Sequence, residues 1–275
     1  VFMIWPWLAT ADPRLTEYTY LGGVDRAYEM AIIRLALEKT REEYGDFKLM
    51  EAPQMNEARG IASVMDNAYA NSIRVSVYRK SFAQDAKISI VQFPIYLGVL
   101  GYRVCYVNND SLAKLQHKSL DTDIKKLIHG QGEFWMDTDI LRENGIKVVT
   151  GNKAENLYKM LSVKRMDLFC RGINEITSEL KYAKLYSNIS LDTSIAFYYE
   201  MPFFAYVNSQ NKELFTRLDS GFKQAFNDGS LQRVWHEYYG RSVEESDLAD
   251  RRIITLKNSE LEKAKLNIAP FLYTF

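Results

Sequence analysis

The chain has 275 residues, is 47% hydrophobic and 25% charged, and sets 35 basic against 35 acidic residues. That is globular composition with apolar residues enough for one or two cores. Zero net charge leaves no electrostatic footprint for nucleic acid or an anionic membrane. No run approaches the length of a transmembrane helix, and the start, Val1-Phe-Met-Ile-Trp-Pro-Trp7, lacks the basic region and long apolar core of a signal peptide. Val1 to Trp7 reads as a first strand ending in a Trp-Pro-Trp loop, and Asp12-Pro13 as a turn or helix start. Tyr28, Ile32, Leu35 and Ala36 lie on one helical face, so Asp25 to about Glu43 is predicted helical, with Gly45 as its stop. Phe47 to Met50 is a short strand. Asn56 to about Asn67 is a second helix, capped by Asn56. Ile73-Arg-Val-Ser-Val-Tyr78 alternates polar and apolar residues as a strand does. Strand, helix, strand, helix, strand is the opening of a parallel α/β sheet.

Ile90 to Tyr96 is apolar around Pro94, and Gly98 and Gly101 precede another strand, Tyr102 to Val107. The Pro and Gly residues suit a connection between domains. Lys125 to Ile128 reads as a strand, His129-Gly-Gln-Gly132 as a Gly-rich loop, and Glu133 to about Glu143 as a helix. A strand, a Gly-rich loop and a helix N-terminus together can hold an anion, because the first helical N–H groups have no internal partners. Ile146 to Val149 is the next strand, and Asn156 to Arg165 a helix with Leu157, Met160 and Leu161 on its inner face. Met166 to Cys170 suits a buried strand that ends at Arg171-Gly172, where ligands collect in open α/β sheets; the plainer reading pairs Arg171 with Glu175. Asp167 is expected to cap the segment or pair with Arg165. Ser194 to Val207 reads as one aromatic strand. Leu214, Leu218, Phe222 and Phe226 mark an amphipathic helix ended by Asp228-Gly229, with a shorter helix running on to Gly240 and a strand-like piece at Ile253 to Leu256.

Two cysteines make neither a disulfide framework nor a metal cluster. Cys105 and Cys170 each lie in an apolar strand-like run, so buried free thiols are the default, and a disulfide is open if the two strands are neighbours. Catalysis has little support. His117, His129 and His236 are scattered, no zinc-protease pair follows His236-Glu237, and no nucleophile elbow is present. No metal site and no cofactor is expected. Trp5, Trp7, Trp135 and Tyr96 are candidates to stack on a ligand, with core packing as the alternative for each. Gly132 and Glu133 join them at the Gly-rich loop.

Asn211-Lys-Glu-Leu214, Asp228-Gly-Ser-Leu231 and Tyr238-Tyr-Gly240 form an ending that resembles bacterial periplasmic solute-binding proteins of the amino-acid transporter type. The middle is closer still to a branch of that family found in aquatic gamma-proteobacteria. It reads Gly130-Gln-Gly-Glu-Phe-Trp-Met-Asp-Thr-Asp-Ile-Leu-Arg-Glu-Asn-Gly145, then Lys147-Val-Val149, then Arg165 to Glu175. The resemblance implies an α/β fold of the type II periplasmic-binding-protein kind: two lobes joined by two crossover hinge strands, with ligand clamped in the cleft between them. Lobe one would be residues 1–101 plus 206–275, and lobe two 102–205. It also implies a periplasmic protein whose leader has been removed, no catalysis, and a monomer delivering a small polar solute to a membrane permease. The alternative of the same fold is a ligand-sensing input domain of a signalling receptor.

The departures bear on the ligand. Family members carry a Thr-Pro-Glu-Arg-like loop whose Arg holds the ligand carboxylate. This chain has Arg79-Lys-Ser-Phe-Ala-Gln-Asp85 there, with Arg79 close but out of register. The family's ammonium-binding Asp is replaced by Gly172 beside Arg171. A cation there repels an ammonium and attracts an anion, so an acidic or dicarboxylate ligand fits better than an ordinary α-amino acid.

Overall fold

A computed structural model describes residues 15–23, 25–115, 124–262, 264 and 266–273. The predicted first strand, with Trp5 and Trp7, lies outside the described residues. In chain order the strands are β1 (Thr16–Tyr20), β2 (Phe47–Glu51), β3 (Ser72–Val77), β4 (Ile88–Val91), β5 (Tyr102–Asn108), β6 (Ile128–Gly132), β7 (Lys147–Gly151), β8 (Leu168–Gly172), β9 (Ile189–Leu191), β10 (Ile195–Tyr198), β11 (Phe203–Asn208) and β12 (Arg252–Thr255). They divide between two compact units. Unit one holds the described residues of Val1–Ser76, Gln84–Phe93 and Ala205–Leu231. Unit two holds those of Val77–Ala83, Pro94–Phe204 and Gln232–Phe275.

Unit one is built on a five-stranded sheet in the order β2-β1-β3-β11-β4. β1 runs parallel to both β2 and β3, and β11 antiparallel to β4. The helix Arg26–Lys39 starts where the Asp25 carboxylate accepts from the Tyr28 amide, and the helix Glu57–Met65 where Asn56 accepts from Arg59. Both caps satisfy donors that the helix leaves unpaired. On the first helix Tyr28, Ile32, Ile33, Ala36 and Leu37 are fully buried, one apolar stripe facing the core. In the core, Phe93 stacks on Phe222 from the helix Lys212–Asn227, with centroids 5.4 Å apart. β1 is a strand that periodicity missed: Thr-Glu-Tyr-Thr-Tyr lacks aliphatic residues, and its alternation rests on Tyr18 and Tyr20, which are 1% and 0% exposed.

Unit two is built on a sheet in the order β12-β10-β5-β8-β6-β7, with β9 also paired to β5. β6 runs parallel to β7 and β8, while β5 runs antiparallel to β8. The carboxyl ends of β6 and β8 and the amino end of β5 therefore meet at one edge. On one side of the sheet Tyr106, Leu157, Tyr158, Leu161, Met166 and Phe169 pack into a core.

Several expectations change. His129-Gly-Gln-Gly132 is not a loop but part of β6, and the helix after it begins only at Met136. Its glycines serve close packing. A Cβ on Gly130 would stand 2.0 Å from the Met166 sulfur, and one on Gly132 2.3 Å from the Trp135 indole. The free-thiol default is also overturned. Cys105 and Cys170 face each other across the antiparallel β5–β8 pair and are joined as a disulfide. The single strand expected over Ser194 to Val207 is two, β10 and β11, with Pro202 between them. Asp167 accepts from Ser111 and from the Ile128 amide, at 3.1 and 3.0 Å, and so ties β8 to β6. From Gln232 onward the tail groups with unit two. β12 pairs with β10, and Trp235 stacks on Tyr273 with centroids 4.4 Å apart.

Candidate functional site

The edge of unit two where β6 and β8 end and β5 begins carries an unusual density of charge for a sheltered place. Arg171, penultimate in β8, is 7% exposed. Its Nε and Nη2 donate to the two oxygens of Glu179 at 2.7 and 2.8 Å, a bidentate pair, and Nη2 also donates to Glu175 at 2.7 Å. The guanidinium lies over Trp135, 4.5 Å from the ring centroid, and 5.4 Å from that of Phe169. Tyr158 donates to Glu179 at 3.0 Å, and the Gly172 amide to Glu175 at 3.0 Å. Burial opposes the charge on Arg171, but Glu175 and Glu179 outweigh it and hold the guanidinium more firmly protonated than usual. Among the described residues, Nη1 of Arg171 makes no hydrogen bond.

From the opposite face of the sheet, Arg103 at the start of β5 donates through Nε to Asp137 at 2.8 Å and through Nη1 to the Leu100 carbonyl. The Tyr199 hydroxyl donates to the same Asp137 oxygen, and Arg103 lies over the Tyr199 ring at 5.3 Å. Burial pushes the Asp137 carboxyl up, but Arg103 and the hydrogen bonds from Tyr199 and Arg103 prevail, so it lies below the usual carboxylate range. Two cations and three carboxylates thus share this edge: Arg103 and Arg171 with Asp137, Glu175 and Glu179.

The structure gathers Gly132, Trp135 and Arg171. Trp135 folds back so that its amide meets the Gly132 carbonyl at 3.1 Å, and Gly132 leaves room for the indole. Glu133 is exposed on the same turn, next to Phe134, which is 86% exposed. Tyr96 is core: it is 2% exposed, packs against Phe203 at 5.4 Å, and its carbonyl accepts from the Trp235 indole. Arg79 is half-buried just ahead of the short helix Lys80–Ala83. Arg171 is not the isolated cation that the sequence reading set against an ammonium, because two carboxylates take its charge. Arg103, Asp137 and Tyr199 were missed as site residues. The signal was there: Arg103 interrupts the apolar run Tyr102 to Val107, and a charge inside a buried strand must be paired.

The elements make an α/β protein with two sheets, and solved structures of periplasmic-binding-protein type share its fold. The ligand-binding core of GluR0 with L-glutamate is 10% identical, with a TM-score of 0.58 over 82% of this chain and 99% of that one. An arginine-specific periplasmic binding protein of Salmonella typhimurium is 13% identical, with a TM-score of 0.53 over 82% and 99%. The VFT2 domain of Bordetella pertussis BvgS is 11% identical, with a TM-score of 0.53 over 82% and 92%. No protein-family model matches the chain, and no curated protein matches it. Among the described residues no helix is long and apolar enough to cross a membrane, and no cluster of three or more His, Cys, Asp or Glu could hold a metal ion.

Proposed function

We propose that this chain is a solute-binding protein of an ABC-type transport system, which binds a small polar solute and releases it unchanged. The observation that carries the reading is the charged edge of unit two, set at the carboxyl ends of parallel strands in a fold shared with glutamate- and arginine-binding structures. Trp135 offers an aromatic surface and Nη1 of Arg171 a pair of donors, which suits a carboxylate. With the rest of Arg171 neutralised by Glu175 and Glu179, an α-amino acid is as acceptable as a dicarboxylate. Gly132 makes room for Trp135, and Glu133 and Arg79 are secondary candidates for ligand contact. The Cys105–Cys170 bond supports an oxidising compartment such as the periplasm, where a monomer would hand the solute to a membrane permease. A second reading, the ligand-sensing input module of a receptor, is favoured by the likeness to BvgS. A signalling domain in the same reading frame would decide for it, and an adjoining permease gene for the first.

The test is a thermal-shift screen of amino acids, dicarboxylates and small peptides. A solute at one hundred times its Kd stabilises by about 2.7 kcal/mol, a readable rise in Tm. Arg171→Ala should weaken the solute found by about 2 kcal/mol. Turnover of a bound compound by the pure protein would refute the reading.

A further inference from the structure

Among the described residues after β12, the chain forms only the short helical turns Ser259–Glu262 and Ala269–Phe271, yet it is tied down at particular points. The chain passes between the two units after Ser76, Ala83, Phe93, Phe204 and Leu231. The ties fall beside these passages, and every residue in them belongs to unit two. Glu260 accepts from the Lys80 amide at 2.8 Å, inside the short run Val77–Ala83. Asn258, 8% exposed, donates to the Glu200 carbonyl at 2.9 Å, just ahead of the passage at Phe204. The Tyr273 amide donates to the Leu97 carbonyl at 2.9 Å, soon after the passage at Phe93. Leu272 covers Gly98, where a Cβ would stand 3.2 Å from its Cδ2. The Tyr273 ring stacks on Trp235, soon after the passage at Leu231, and the Trp235 indole donates to the Tyr96 carbonyl at 3.1 Å.

The passages are also bonded to one another. The Tyr78 amide donates to the Pro202 carbonyl at 2.9 Å, the Ile95 amide to the Phe203 carbonyl at 3.0 Å, and the Tyr199 amide to the Gly101 carbonyl at 3.2 Å. The backbone beneath Tyr273 is held in an unusual shape. Leu97 is 1% exposed with φ at +50°, and Gly98 follows at +87°. Left-handed backbone suits glycine but not leucine, and it persists only where the surroundings fix it. Here Trp235, Leu272 and Tyr273 do so, through the carbonyls of Tyr96 and Leu97 and the bare face of Gly98.

We infer that Asn258, Glu260, Leu272 and Tyr273 form a strap that makes the passages bend together, so that movement of one unit against the other is governed by how firmly these residues hold. The inference goes beyond the solute-binding reading and stands or falls without any solute. The test is hydrogen exchange of the full chain, read by mass spectrometry, because amides report local opening apart from global unfolding. Tyr273→Pro removes both the amide donor and the ring, and the extended backbone of Leu272 (φ −75°, ψ 139°) accepts a following proline. It should speed exchange at the Tyr78, Ile95 and Tyr199 amides together, at least tenfold, and leave β1 and the helix Arg26–Lys39 of unit one at wild-type rates. Asn258→Ala loosens the strap from its other end and should speed the same three amides severalfold. It decides alone if circular dichroism shows that Tyr273→Pro does not fold. Faster exchange confined to the neighbours of the substituted residue would overturn the strap, as would equal acceleration in unit one or unchanged rates in either folded variant.

Discussion

Replacing Asp137 by Ala should be among the most damaging single changes to unit two. Its side chain is 12% exposed and that of Arg103 6%, so the pair is nearly cut off from water. Removing the carboxylate strands the Arg103 guanidinium and the Tyr199 hydroxyl together. Breaking a buried pair from one side costs about 3–5 kcal/mol, because the remaining charge stays buried and unpaired. Tyr199→Phe removes only a hydrogen bond to a charged group, so about 1.5–3 kcal/mol is expected. The decisive variant is the double exchange Arg103→Met with Asp137→Leu. It removes both charges, and the cost should be smaller than that of either single charge removal, about 1–2 kcal/mol. Urea unfolding followed by circular dichroism, with free energies from linear extrapolation, reads all three. If Asp137→Ala costs under about 1 kcal/mol, or the double exchange costs the sum of its parts, the pair is not buried as described. The pH dependence follows in sign. The Asp137 carboxyl is depressed in the folded protein, so its contribution is present above the unfolded carboxylate range and is lost as pH falls through the depressed value.

Other consequences can be measured in the same way. His129 is fully buried, neither ring nitrogen has a hydrogen-bond partner among the described residues, and burial lowers it to about 4 despite the nearby Asp167. Its folded pKa lies below its unfolded one, so stability should be full above about pH 6.5 and fall by about 3 kcal/mol on going to pH 4. His129→Phe should flatten that window, and an unchanged pH profile would refute the assignment. The Cys105–Cys170 bond closes a separation of 65 residues, for which loop entropy gives about 4 kcal/mol. The double Cys→Ser variant should unfold at correspondingly lower urea, and an unshifted midpoint would count against it. Gly132→Ala drives a Cβ into the rigid Trp135 indole and should cost about 1–3 kcal/mol while altering Trp fluorescence. An unaltered emission spectrum would mean that Trp135 does not cover Gly132.

Much of the fold is written in local pattern. The helix Arg26–Lys39 and the cap at Asn56 follow from neighbours three and four residues apart, and so does the helix Lys212–Asn227. The strands around Ile73 and Cys105 follow from β-branched and apolar runs. These interactions act within one or two turns of chain, so the amino-acid order alone determines them. What Arg171, Cys105 and Gly132 do depends on partners from other elements. Arg171 reads as a cation at a strand end with Glu175 as its local partner, a pair the structure contains, until the helix Ile176–Ala183 brings Glu179 against it as well. Gly130 and Gly132 read as a loop until Met166 and Trp135 occupy the space that a side chain would need. The two cysteines read as separate thiols until β5 and β8 align them across an antiparallel pair. A residue's charge and size belong to the sequence; whether that charge is matched, and whether that space is filled, is decided only when distant segments pack together, because Coulomb attraction and close contact act over ångströms and not along the chain.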